Sequence, residues 1–197
     1  IQTFVSTDGG VTFTNVSGST PPQIPNSGML RIEYAISTTK NTNNMWTIYA
    51  SCSKGSNDEF YTSEDNGQTW YLIGTETSFF DPLEGEGGFA NIITAVPGQE
   101  KFLLGGNDVW LWEKSIGTVP PFGQWYQKTM SSLPTSSPVY LHENQHEMKW
   151  DQNGILYVGN DGGIVKSFDG GNQSWIPHNR GYNVTQFYSV AFNKYGH

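Results

Sequence analysis

A chain of 197 residues with 23 Gly, 10 Pro, 11 Phe, 10 Tyr and 7 Trp is suited to many short strands joined by turns, and its length bounds one domain or a large part of one. Its 10 basic and 18 acidic residues leave a formal charge of −8, which argues against a nucleic-acid backbone or an anionic membrane surface as the main partner and leaves neutral or cationic partners open. The single Cys52 excludes an internal disulfide framework, and no apolar run approaches the ~20 residues of a membrane helix.

The chain opens on Ile1 inside a strand-like run, so the expectation is an internal segment or a processed chain, with targeting signals out of view. Residues 2–6 and 12–17 read as two strands around the corner Ser6-Thr7-Asp8-Gly9-Gly10-Val11-Thr12-Phe13. After a Pro-rich connection over 19–27, Leu30, Ile32, Tyr34 and Ile36 alternate with Arg31, Glu33 and Ala35 at period two, the mark of a strand with two distinct faces. Strands are expected next at 46–51, 60–63 and 70–74, the last two flanking the corner Ser63-Glu64-Asp65-Asn66-Gly67-Gln68-Thr69-Trp70. The order repeats at 89–96, 101–105, 109–114 and 125–128, and again at 139–150, 155–159, 164–167 and 175–178. Residues 183–192 read as the first strand of a further unit.

The corners share the pattern S-x-D-x-G-x-T-W/F, with a third good copy at Ser167-Phe168-Asp169-Gly170-Gly171 followed by Ser174-Trp175. Ser and Asp side chains accept from nearby backbone N–H groups, Gly takes the positive φ that other residues resist, and the aromatic residue anchors the next strand. The closing aromatics Phe13, Trp70, Trp125 and Trp175 are 57, 55 and 50 residues apart, close to the ~40–50 of one four-stranded unit. Trp125 belongs to a degenerate copy, whose Ser115-Ile116-Gly117 turn lacks the Asp. The units are therefore 1–18 (the end of one), 28–78, 85–131, 138–179 and 183–197 (the start of another).

These corners resemble the Asp box, or BNR repeat, of β-propellers. The wider order, from Gly85-Glu86-Gly87-Gly88-Phe89 through His142-Glu143-Asn144-Gln145-His146 and Gly159-Asn160-Asp161-Gly162-Gly163, is similar to secreted bacterial glycosyl-hydrolase-like propeller proteins of the sialidase and xyloglucanase superfamily. Many of these carry type IX sorting domains. The resemblance implies an all-β propeller of four-stranded antiparallel blades, with about three complete blades and two partial ones in this chain. It also places Ser6, Asp8, Gly10, Phe13, Ser63, Asp65, Gly67, Trp70, Ser167, Asp169, Gly171 and Trp175 on the propeller rim as structural residues. Three complete blades do not close a ring of about four to eight, and open ends expose strand edges. The expected partner is therefore the remainder of the propeller in a longer parent chain, ahead of completion by another chain.

Two constellations stand apart from the corners. On an extended strand His142, Asn144 and His146 share one face, so they form either a ligand set for a metal ion or hydrogen-bonded histidines packed between blades. Two imidazoles are a thin set for zinc or calcium, so no cofactor is expected beyond that one metal option at His142 and His146. Trp110 and Trp112, two apart on one strand, are a candidate glycan platform or blade core, and Tyr182, Phe187 and Tyr188 gather near the chain end. The recurring Asn57-Asp58, Asn107-Asp108 and Asn160-Asp161 read as turns in which Asn and Asp bond the local backbone.

No pair of carboxylates stands out as the two acids of a glycosidase among Glu33, Glu84, Glu86, Glu143 and Glu147, and Arg31 and Arg180 fall short of a sialidase arginine triad. No catalytic residue is therefore assigned. The reading that follows is a non-catalytic propeller module of a secreted or cell-surface protein that binds a glycan or a surface protein. It contacts no nucleic acid and inserts into no membrane. The alternative is a xyloglucanase-like glycoside hydrolase with catalytic acids partly outside this segment.

Overall fold

The computed structural model describes residues 1–20, 22–115, 117 and 121–181; the expected strand over 183–192 and the cluster Tyr182, Phe187 and Tyr188 lie outside these. Among the described residues there is no helix. The order is β1 (Phe4–Val5), β2 (Thr14–Asn15), β3 (Ser17–Gly18), β4 (Ile24–Pro25), β5 (Arg31–Lys40), β6 (Trp46–Ser53), β7 (Glu59–Ser63) and β8 (Tyr71–Thr75). The second half holds β9 (Ile92–Ala95), β10 (Lys101–Gly105), β11 (Val109–Lys114), β12 (Gly123–Gln127), β13 (Gln145–Trp150), β14 (Leu156–Asn160), β15 (Gly163–Ser167) and β16 (Ile176–Pro177).

Strands β5 to β8, β9 to β12 and β13 to β16 form three four-stranded antiparallel meanders, here sheets I, II and III, while β1–β2 is a two-stranded ribbon and β3–β4 a short parallel pair. In a meander alternate turns fall at opposite ends. The corners between third and fourth strands therefore share one end of each sheet with the turns between first and second strands. The turns between second and third strands share the other end with the long connections over 76–91 and 128–144.

Both faces of sheet II are buried, so its strands carry apolar residues on both sides. Phe102 and Leu104 face sheet I, where they join Ala35, Tyr49, Phe60, Ile93 and Trp112. Leu103, between them in sequence, faces the other way to Met148, Leu156, Val158 and Val165 of sheet III. Tyr49 meets Phe102 at 4.7 Å between ring centroids and Phe60 meets Trp125 at 5.1 Å, in the tilted geometry that aromatic quadrupoles favour. The far side of sheet I packs Ala50, Cys52, Tyr61 and Trp70 against Ile24 and Met29. Burial pushes the Cys52 thiol up to about 12, with the Glu59 charge adding to it, so this sulfur is an inert packing group.

Of the first strands, β9 lies beside both β5 and β13. Polar ties repeat from sheet to sheet: Gly98 N donates to Thr38 Oγ1 at 2.8 Å, Gln145 N to Gly106 O at 2.8 Å, and Trp125 Nε1 to Ile73 O at 3.1 Å. Lys114 Nζ binds both Glu64 and Glu100, joining sheet II to sheet I beside the degenerate corner. Gly106 has no room for a side chain, because a Cβ there would lie 2.3 Å from Pro82 O; this clamps the 76–91 connection onto the β10–β11 turn.

The alternation expected around β5 is real, with Leu30, Tyr34 and Ile36 exposed and Ala35 and Ser37 facing the core. Two expectations change. Residues 89–91 precede β9, because the chain turns tightly from Leu83 through Phe89, with Glu86 N bonding Leu83 O and Phe89 N bonding Glu86 O. Residues 139–144 precede β13, since Asn144 adopts a left-handed backbone (φ 63°) that an extended strand excludes.

Candidate functional site

The three corners use their Ser and Asp side chains on themselves. In the second, Ser63 Oγ donates to Asp65 Oδ1 at 2.8 Å and accepts from Gly67 N at 2.9 Å. Gln68 N and Thr69 N reach Asp65 Oδ1 at 2.9 and 2.8 Å, and Thr69 Oγ1 reaches Oδ2 at 2.6 Å. Trp70 then folds back so that its Nε1 donates to Gly67 O at 3.0 Å. In the third, Ser167 and Gly171 bond as Ser63 and Gly67 do, and Asp169 accepts from Asn172 N, Gln173 N and Ser174 N at 3.0, 2.9 and 3.1 Å. The first corner repeats the set through Ser6, Asp8, Gly10 and Thr12. Its Phe13 is exposed, whereas Trp70 is buried and Trp175 half-buried against the sheet II–III core. Gly10, Gly67 and Gly171 all take positive φ, as the turn requires.

These bonds set the acid response. Burial works to raise the Asp65 and Asp169 carboxyls, but the donors from Thr69 and Ser63, and from Ser167 and Gln173, outweigh it and hold both below the usual range. Such groups contribute stability above the unfolded carboxylate pKa and lose it as pH falls through the folded value. Burial raises the Asp58 and Asp108 carboxyls, so these cost stability at neutral pH and the cost is relieved as they protonate. The expected result from chemical denaturation between about pH 7 and about pH 3 is a shallow gain followed by a steep loss. Burial also raises Asp81 and Glu84, so Asp58→Asn with Asp108→Asn reduces the gain and leaves the loss.

At the opposite end the sheets bring together side chains from four elements. His146 Nε2 lies 2.7 Å from Asp161 Oδ1, and Asn144 Nδ2 donates to Asp161 Oδ2 at 3.0 Å. Phe89, more than half exposed, meets the His146 ring edge-on at 4.9 Å. Arg31 Nη1 donates to Phe89 O at 2.9 Å while its Nε pairs with Glu33. This ties β5, the connection before β9, β13 and the β14–β15 turn into one surface. His142 packs on Gly162, where a Cβ would come within 2.7 Å of it. Burial works against the Asp161 charge, yet the Asn144 and His146 bonds hold its carboxyl below the usual range. Nearby, Glu84 Oε2 accepts from Asn107 Nδ2 at 2.8 Å, and burial followed by the Asp108 charge pushes the Glu84 carboxyl up.

The sequence-derived candidates fall differently from expectation. His142, Asn144 and His146 do not share a strand face, because β13 begins only at Gln145 and is bulged between Gln145 and Glu147. Asn144 turns an N–H, not a lone pair, toward Asp161. Among the described residues no group of three His, Cys, Asp or Glu is placed to hold a metal ion. Trp112 is fully buried and Trp110 half-buried, edge-on to Phe80 at 5.3 Å. Sheet II is covered on both faces, so neither indole is an open platform.

The Asn-Asp turns also diverge. Asp58 binds its local backbone, accepting from Lys54 N at 2.6 Å, and Asp108 reaches forward to Ser131 N at 2.8 Å. Asp161 faces Asn144 and His146 instead. The β14–β15 turn has only Asp161 and Gly162 between paired residues, which leaves the carboxylate at the tip; the Gly162-Gly163 pair was the sequence signal for it. Nothing in the sequence marked Phe89 as the joint.

No protein-family model matches this chain and no curated protein matches it, so its function is argued from this geometry.

Proposed function

We propose that sheets I to III are successive blades of a β-propeller belonging to a secreted or cell-surface protein, and that the module binds a glycan or protein partner on the end opposite the corners. The observation that carries this reading is the division of labour between the two ends. Corner carboxylates have their acceptor capacity taken up by their own amides. The other end presents Phe89, His146, Asp161 and Asn144, an exposed ring edged by polar groups held in place from behind. An aromatic body beside fixed polar groups suits the C–H face and hydroxyls of a sugar. The rest of the ring is assigned to a longer parent chain, on the resemblance of the corners and because three blades do not close a ring.

The test is a glycan array and a pull-down on the full-length protein. Capture on either, reduced at least tenfold by Phe89→Ala or Asp161→Ala with the fold intact, supports the reading. No capture on both contradicts it.

A second reading, glycoside hydrolysis, is favoured by one observation: Glu84 is pushed up and Asp161 is held down at the same end, the opposed environments of an acid and a charged partner. Incubation with β-glucan distinguishes the two. New reducing ends that disappear in Glu84→Gln establish hydrolysis, and their absence leaves binding.

A further inference from the structure

We propose a second carbohydrate subsite at the opposite end of the molecule, centred on Trp46 and built for a pyranose unit with equatorial hydroxyls. Of the seven tryptophans, Trp46 alone is exposed, at 39 %. It opens β6 at the edge of a cavity of about 350 Å³, lined also by Thr7 and Gly9 of the first corner, Lys40 and Asn44 of the β5–β6 turn, and Asn66 of the second corner. That volume lies in the roughly 300–1,000 Å³ range of small-ligand sites.

The Trp46 backbone is anchored from behind. Trp46 N donates to Asn66 Oδ1 at 2.8 Å, and Asn66 N donates back to Trp46 O at 3.2 Å. An exposed indole on a fixed backbone loses little freedom on binding. Around it, the Thr7 hydroxyl and the Asn44 side-chain amide make no hydrogen bond among the described residues. They are free to bond sugar hydroxyls in either direction.

Charge narrows the class. Lys40 is the only charged side chain lining the cavity, its Nζ 5.7 Å from the Trp46 ring centroid, and the nearby Asp8 is occupied by its own corner. A chain of net charge −8 thus keeps carboxylates out of this cleft. A sugar with equatorial hydroxyls turns a flat C–H face to the indole and its hydroxyls to the rim, whereas an axial hydroxyl would strike the ring. The site is independent of the Phe89 surface.

Titrating the full-length protein with cellohexaose, by calorimetry and tryptophan fluorescence, tests it. The expected result is saturable binding, weakened at least tenfold by Trp46→Ala, partly restored by Trp46→Phe and unchanged by Phe89→Ala. Absence of binding at millimolar cellohexaose overturns the proposal, as does binding that Trp46→Ala leaves intact. Binding lost only with Phe89→Ala assigns the sugar to the other end and sinks the Trp46 site while sparing the earlier reading. Tighter binding of oligogalacturonate, whose O4 is axial, than of cellohexaose, lost in Lys40→Ala, makes the site one for uronates and overturns the equatorial assignment. Circular dichroism of each variant confirms that the sheets remain.

Discussion

Trp112→Ala is expected to destabilise the protein by about 3–5 kcal/mol, lowering the melting temperature by about 10 °C for a domain of this size. Trp112 is fully buried, between Tyr49 of sheet I at 5.9 Å and Phe102 of its own sheet at 5.7 Å. Its ring also fills the space left by Gly123, where a Cβ would lie 2.4 Å from the indole. Truncation therefore opens a cavity where sheets I and II meet, and rigid sheets collapse into it poorly. Trp112→Phe separates packing from polarity. The indole Nε1 is buried with no partner, so phenylalanine deletes an unsatisfied donor along with part of the ring. The expected loss is only about 1 kcal/mol. Denaturant unfolding of the two variants checks both numbers, and equal losses would show that Trp112 does not bridge the sheets.

Asp65→Ala and Asp169→Ala come next, at about 2–4 kcal/mol each. Removing Asp65 frees the Gln68 and Thr69 amides and the Thr69 hydroxyl, and it loosens the turn that carries Trp70 into the core. Asp169 holds three amides in the same way. Asp8→Ala is the internal control, since the first corner closes on an exposed Phe13 and carries no core aromatic; its loss is expected to be smaller. Asp65→Asn keeps shape and one acceptor oxygen, so it should fall between wild type and alanine. Melting curves of the four variants give the order directly.

How much of this could be read from residues alone depends on how local the cause is. Strands β10 and β11 were legible to the residue, because alternating apolar runs end at the Gly105-Gly106 turn and at the remnant corner after Lys114. The corners were legible because every bond of their Ser and Asp side chains joins residues at most five apart. The starts of β9 and β13 were not, since Phe89 and Asn144 look like strand residues until the turns around Leu83 and the left-handed Asn144 are seen. The covered face of β5 was not legible for a related reason: period two shows that two faces differ, but the neighbouring sheet decides which one is covered. The cluster of Phe89, His146 and Asp161 brings together residues from elements about 70 positions apart, held by packing between sheets that no spacing encodes. The exposed Trp46 is hidden in the same way among six other tryptophans, all of them core or half-buried.

The central claim is that the carboxylates of the serine-aspartate-glycine corners fasten the sheets and take no part in ligand chemistry. An experimental structure of the full-length protein with its partner bound tests it most directly. The account predicts three sheets around a common axis with β5, β9 and β13 innermost, each corner carboxylate bonded only within its corner, and the partner touching Phe89, His146 and Asp161. A map in which Asp65 or Asp169 contacts the partner, or in which the sheets share no axis, would contradict it.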